Sequence, residues 1–184
     1  LNNLKFDNII SCTHEELEII REIRNESNIR KNMRTSEKIS TQDHMNWFKK
    51  LKSSKIHNFY LIRYDSKIVG GLGFNNYDKN LLSGEWAYYV SDKSKFLGLG
   101  ACIEFKAIEY FFNSYELNSL FCYVLKHNLG VIKLHNKFGF QEISYDEYFK
   151  NNRLNNEDLN AIYFTLSKFN WNIVNMKIYD IYFR

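Results

Sequence analysis

A chain of 184 residues, 45% hydrophobic and 17% aromatic, has the size of one domain with a substantial core, which argues against a disordered chain. Its net charge of +4 suits an anionic ligand but is too small to mark a nucleic-acid binder, and no apolar run approaches ~18 residues, so neither nucleic acid nor membrane is an expected partner. Cys12, Cys102 and Cys122 are odd in number and lack ligand spacing, which argues against a disulfide framework or zinc site and fits a reducing, cytoplasmic protein.

The elements follow in chain order. Residues 1–5 lack the long apolar core of a signal peptide. Thr13-x-x-Glu16 reads as a capping box opening a helix through about Asn25, with Leu17, Ile20 and Arg24 on one face. Residues 26–39 read as a polar, basic loop. Ser40 or Thr41 caps a second helix to about Lys52, carrying Met45, Phe48 and Leu51 at helical spacing. The period then changes. Residues 59–64 and 68–74 are short β-like runs, and Asp65-Ser66-Lys67 predicts a hairpin turn between them. Residues 77–80 read as the next turn and 85–90 as an aromatic-rich strand. A helix over 101–112 is apolar nearly all round, which implies burial between layers. Residues 120–125 read as a strand. Residues 128–137 read as a helix that Gly139 ends at a left-handed cap. The last strand is 161–166. The order, roughly ααβββαβαββ, is an α/β mixture with a central mixed sheet. In the less defined tail, Trp171, Ile173, Ile178, Tyr179, Ile181 and Tyr182 form an apolar patch suited to docking on the body or on a second copy as a homodimer.

Two segments carry the chemistry. Lys95-x-x-Gly98-x-Gly100-Ala101 places two glycines in a turn at a helix start. Such a turn exposes backbone N–H groups, and the first helical turn leaves more of them unpaired. Together they make a cradle for phosphate. About 30 residues on comes Asn128-x-x-Val131-Ile132-x-Leu134-His135-x-Lys137-x-Gly139-Phe140.

The pair resembles the GNAT superfamily of acyl-coenzyme A N-acyltransferases. There the first motif usually reads Arg/Gln-x-x-Gly-x-Gly/Ala and the second Asn-x-x-Ala-x-x-Leu-Tyr-x-Lys-x-Gly-Phe. The resemblance covers about residues 55–145, and the element order extends it over 5–168. It implies a GNAT-type α/β fold: a central mixed twisted sheet flanked by helices, with splayed central strands. One domain would span 1–184, with its core at about 5–168 and a C-terminal extension at 169–184.

The resemblance also implies acetyl-coenzyme A as co-substrate. Backbone N–H groups of Phe96, Gly98, Leu99, Gly100 and Ala101 would hold its pyrophosphate. Lys95 stands where Arg or Gln is usual, keeping a cation but losing the planar fork. The strand edge at Tyr89 and Val90 would pair with the pantetheine arm, and the Val90 N–H would polarise the thioester carbonyl. Asn128 would bond the pantetheine. His135 occupies the place of a tyrosine that protonates the leaving thiolate, a role imidazole can fill. A core histidine is the competing reading, since Val131, Leu134, His135 and Phe138 share a stripe. Glu85 is the candidate base for the acceptor amine, against an ordinary strand carboxylate. Asp92 and Glu104 read as solvated charges. Cys102 and Cys122 read as core, so direct transfer in a ternary complex is expected. His44, His57 and His127 have no partners at ligand spacing, so no metal is expected.

For the acceptor, Arg24-Asn25, Met33-Arg34, His44, Trp47 and Phe48 resemble the array of acetyltransferases acting on 4-amino-4,6-dideoxy sugar nucleotides, that of pseudaminic acid biosynthesis among them. Glu85-Trp86-Ala87-Tyr88-Tyr89 resembles their Glu-aromatic-Gly-x-Tyr strand. Arg24, Arg30, Lys31 and Arg34 supply cations for a diphosphate. Trp47, Phe48 or Tyr89 offers a face to a base, and Met33 apolar contact to a deoxysugar methyl. Phe48 shares the Met45 and Leu51 face and reads as core. The competing functions are acetylation of a protein N-terminus, polyamine or antibiotic amine, and a non-catalytic acetyl-coenzyme A sensor or assembly subunit.

Overall fold

The computed structural model describes residues 3–94, 96–152 and 160–183. Among the described residues, fourteen helices and strands follow one another: β1 (Leu4–Asn8), α1 (His14–Arg24), α2 (Ser27–Arg30), α3 (Thr41–Lys52), β2 (Asn58–Tyr64), β3 (Lys67–Asp78), β4 (Ser83–Val90), α4 (Leu99–Ser114), β5 (Ser119–Leu125), α5 (Leu129–Lys137), β6 (Gln141–Ile143), α6 (Tyr145–Asn152), β7 (Ala161–Ser167) and α7 (Lys168–Phe183). The strands form one mixed seven-stranded sheet in the order β1-β2-β3-β4-β5-β7-β6. Contacts divide the chain into two compact units, Leu1–Asn75 with Ala87–Leu97, and Asn76–Trp86 with Gly98–Arg184.

In the first unit, β1, β2 and β3 are joined antiparallel. The capping box forms as the sequence predicts: the Glu16 amide donates to Thr13 Oγ1 at 3.2 Å, and the Thr13 amide to Glu16 Oε2 at 2.9 Å. Glu16 also pairs with Arg63, which bonds Asp7 at 2.6 Å, so one guanidinium on β2 ties α1 and β1 to it. Asp65 and Ser66 have φ of 47° and 66°. Positive φ at both central residues is the hairpin geometry that matches strand twist. Ile9, Leu17, Ile20, Ile23, Ile29, Phe48, Leu51 and Leu61 form the core here.

Three expectations are corrected in and beside this unit. β1 escaped the pattern because its five residues are largely polar and gain their structure from β2, with Leu4 opposite Tyr64 and Asn8 opposite Tyr60. The stretch 26–39 is not all loop: it holds the short α2, which buries Ile29. β3 runs on to Asp78 and absorbs the start of the expected turn, which falls instead before Ser83.

In the second unit, β4 and β5 pair in parallel over Ser83–Glu85 and Ser119–Phe121, and both strands continue beyond, to Val90 and Leu125. β5 pairs with β7 along its whole length. α4 begins at Leu99, two residues before the expected start, and buries Ala101, Ile103, Ala107, Ile108, Phe111 and Phe112. Gly139 has φ of 86°, as its capping role predicts. The C-terminal tail is a helix rather than a loose patch: α7 buries Trp171 and Ile178, and the Trp171 indole donates to Glu109. Ile173 and Ile181 of the expected patch are exposed.

Candidate active site

Lys95 lies outside the described residues; the rest of the glycine turn leads into the first turn of α4. Gly98 is the N-cap of α4 with φ of 92°, a left-handed conformation that a side chain would strain, and a Cβ built there meets nothing within 4 Å. The first turn of α4 contains no acidic residue and the cap makes no side-chain hydrogen bond. An anion placed there would meet N–H dipoles and no opposing carboxylate of that turn. Leu99 and Ala101 are buried, while Phe96 is half exposed on the Tyr64 ring, 5.0 Å away.

Alternation fixes what the end of β4 presents. The Ser91 N–H bonds the Val69 carbonyl of β3 at 2.8 Å. In an antiparallel ladder, residues two apart face the same neighbour. Tyr89 therefore faces β3, and the Val90 N–H and C=O point to the opposite edge. β3 accommodates this through two glycines. A Cβ on Gly70 would lie 2.0 Å from the Tyr89 carbonyl oxygen, and one on Gly71 would strike the Phe59 and Tyr89 rings at 2.3 and 2.9 Å. The strand exit is clamped by Glu26, which accepts from Ser91 Oγ at 2.6 Å and the Asp92 amide at 2.9 Å. Asp92 also takes a hydrogen bond from Asn28.

Glu85 is buried, 8% exposed, inside the second unit. Its Oε2 accepts from the Tyr148 hydroxyl at 2.8 Å and from Asn76 Nδ2 at 3.4 Å. Burial first, and then the Glu85 charge, push the Tyr148 phenol far up, so it stays a donor.

His135 is likewise buried, ringed by Phe140, Trp86 and Phe164 at 4.8, 5.8 and 5.8 Å between centroids. Its Nδ1 lies 2.7 Å from Glu104 Oε1. Glu104 is 0% exposed, which corrects its reading as a solvated charge. Burial alone pulls the imidazole down, but the Glu104 carboxylate, with Cys122, outweighs it and holds His135 well above 6.5. Burial pushes the Cys122 thiol up. Asn128 caps α5 through its backbone and makes no side-chain cap hydrogen bond.

The expected acceptor residues all belong to the first unit, and most converge. His44 stacks on Trp47 at 4.9 Å, Trp47 meets Phe59 edge-on at 5.1 Å, and Phe59 lies 6.3 Å from Tyr89. Met33, Trp47, Phe59 and Tyr89 pack on the α1–α3 core. Arg24 is close enough to oppose the burial that pushes the Tyr89 phenol up. His44 itself is buried, which lowers it to about 4 and keeps it neutral. Asn25 is occupied otherwise: its amide bonds both the N–H and the C=O of Ile39 at 2.8 Å, closing the segment between α1 and α3. Arg34 is exposed, and Phe48 is core.

The sequence reading missed Glu26, Phe59, Asn76, Glu104 and Tyr148. For Glu104 a signal existed: it shares a helical face with Ala101, Ile108 and Phe111. A carboxylate on a buried stripe calls for a partner.

The chain belongs to the Acetyltransferase (GNAT) domain family, which matches residues 9–160. It is an acetyl-coenzyme A-dependent N-acetyltransferase. It is 28% identical over 159 residues to Acetyltransferase PseH of Campylobacter jejuni subsp. jejuni, covering 86% of this chain and 98% of the relative. Among solved structures, Campylobacter jejuni N-acetyltransferase PseH in complex with acetyl coenzyme A has a TM-score of 0.67 at 24% identity, over 90% of this chain and 99% of that one. Vibrio cholerae spermidine N-acetyltransferase in complex with CoA and spermine has a TM-score of 0.77 at 14% identity, over 94% and 99%. These likenesses show the fold. No helix among the described residues is long and apolar enough to cross a membrane, and none of their His, Cys, Asp and Glu side chains group to hold a metal.

Proposed function

We propose that the chain acetylates the 4-amino group of a nucleotide-linked 4-amino-4,6-dideoxy sugar, the PseH-type step of pseudaminic acid biosynthesis, in the cytoplasm. The observation that carries this reading is the first unit's array. An aromatic row of Trp47, Phe59 and Tyr89 offers faces to a nucleobase, Met33 offers apolar contact to a deoxysugar methyl, and Arg24 supplies charge for the diphosphate. The similarity to PseH along 86% of the chain supports the same acceptor class.

Transfer is direct, within a ternary complex. The coenzyme A pyrophosphate rests on backbone N–H groups of Phe96 and Gly98 to Ala101, with Lys95 beside it, and Asn128 bonds the pantetheine. Tyr89 and Val90 form the pairing edge, and the Val90 N–H stabilises the developing oxyanion. Glu85, oriented by Tyr148 and Asn76, takes the amine proton through a water. The nitrogen attacks the thioester carbon, the C–S bond breaks, and His135 protonates the thiolate.

The test is a thiol-release assay with acetyl-coenzyme A and a panel of amines. It includes UDP- and dTDP-linked 4-amino-4,6-dideoxy sugars, spermidine, an N-terminal peptide and an aminoglycoside. The sugar nucleotides should give the highest kcat/KM. Turnover of spermidine with none on the sugar nucleotides would overturn the acceptor assignment.

A further inference from the structure

α4 carries one buried side chain that its packing does not explain. Glu104 has 0% exposure on a helix whose other buried positions are apolar. A carboxylate persists in such a place only when paired and hydrogen-bonded. Here it meets the imidazole of α5, with Glu104 Oε1 2.7 Å from His135 Nδ1. A carboxylate on one ring nitrogen fixes the orientation of the ring and the site of one proton.

Resting on the reading of His135 as the acid, we propose that Glu104 is its positioning residue: the carboxylate on Nδ1 fixes the ring and leaves the other ring nitrogen to carry the proton that goes to the thiolate. An imidazolium then does here what the tyrosine of the resembled motif does elsewhere. The proton balance is complete. As the thioester C–S bond breaks, the His135 N–H bond breaks and the coenzyme A S–H bond forms. The neutral imidazole left on Glu104 is reprotonated from solvent. Among the described residues, the titratable groups acting on the ring are Glu104 of α4 and Cys122 of β5. Glu85 of β4 bears on Cys122. Trp86, Phe140 and Phe164, which pack around the ring, do not titrate.

The experiment joins a histidine NMR titration of the cofactor-free protein to the pH profile of kcat, for wild type, E104Q, E104D and H135Q. H135Q identifies the resonance among the five histidines. In wild type, His135 should titrate well above 6.5; in E104Q it should titrate clearly lower than in wild type, because burial is then opposed by Cys122 alone. The alkaline limb of kcat should move down with it, so that E104Q loses at least ~10-fold near pH 8.5 and much less near pH 6. E104D, keeping the charge, should keep the limb and lose rate evenly. An E104Q loss that is the same at every pH, with His135 titrating as in wild type, overturns the proposal and leaves the acid reading standing. Full kcat in H135Q overturns the acid reading itself, and the proposal with it.

Discussion

The Tyr148 hydroxyl donates to Glu85 Oε2 at 2.8 Å, joining α6 to β4 across 63 positions of sequence. Neither residue is exposed, so the bond has no competing water of comparable access. Y148F should cost about 1.5–3 kcal/mol of stability, the range for a hydrogen bond to a charged group. Its kcat should fall, because Glu85 loses an orienting donor, while KM for acetyl-coenzyme A stays near wild type. Urea unfolding and steady-state kinetics check the two halves separately.

Glu26 bonds both the side chain of Ser91 and the backbone of Asp92, so it fixes the exit of the strand that presents Val90. E26A should raise KM for acetyl-coenzyme A several-fold and change kcat less. An unchanged KM would show that the strand end holds its position without the clamp.

At Gly71 there is no room for a methyl group, since it would reach 2.3 Å from the Phe59 ring. Overpacking of this kind costs about 1–3 kcal/mol. G71A should therefore lower Tm and, by displacing Phe59 and Tyr89, raise KM for the sugar nucleotide more than KM for acetyl-coenzyme A. Equal effects on both would place the aromatic row away from the acceptor.

His44 predicts a pH dependence of stability. Burial, reinforced by Arg21, depresses its folded pKa to about 4 from 6.5. A depressed pKa contributes stability that is fully present above 6.5 and is lost as pH falls through about 4, because the unfolded chain takes up the proton first. H44F, which retains a ring beside Trp47, should show a shallower fall in Tm over that window. A fall as steep as wild type would mean that other groups govern it.

Much of this was legible because it is local. The Thr13–Glu16 capping box, the Asp65-Ser66 turn, Gly98 and Gly139 are each fixed by residues a few positions apart, and all four formed as the sequence predicts. β1 and α2 were illegible because polar short segments acquire their structure from distant partners, Tyr60 to Tyr64 in the case of β1. α7 lacks a polar face, so its period is faint: Phe169, Ile173 and Met176 are exposed on the helix that buries Trp171. Within the candidate site, the second motif singles out His135, and its place on the strand leading to the cofactor edge singles out Glu85. Tyr148 was missed because a pairing 63 residues apart leaves no local trace, and for Glu104 the sequence marked a carboxylate on a buried stripe but not its partner 31 residues on.

The most direct test is a product analysis. The protein is mixed with acetyl-coenzyme A and a UDP-linked 4-amino-4,6-dideoxy sugar, and nucleotide, coenzyme A and protein are examined by mass spectrometry and NMR. The account predicts one acetyl group on the 4-amino nitrogen for each coenzyme A released, and no acetyl on the protein. An unmodified sugar nucleotide, or an acetyl group found on Cys122, would contradict it.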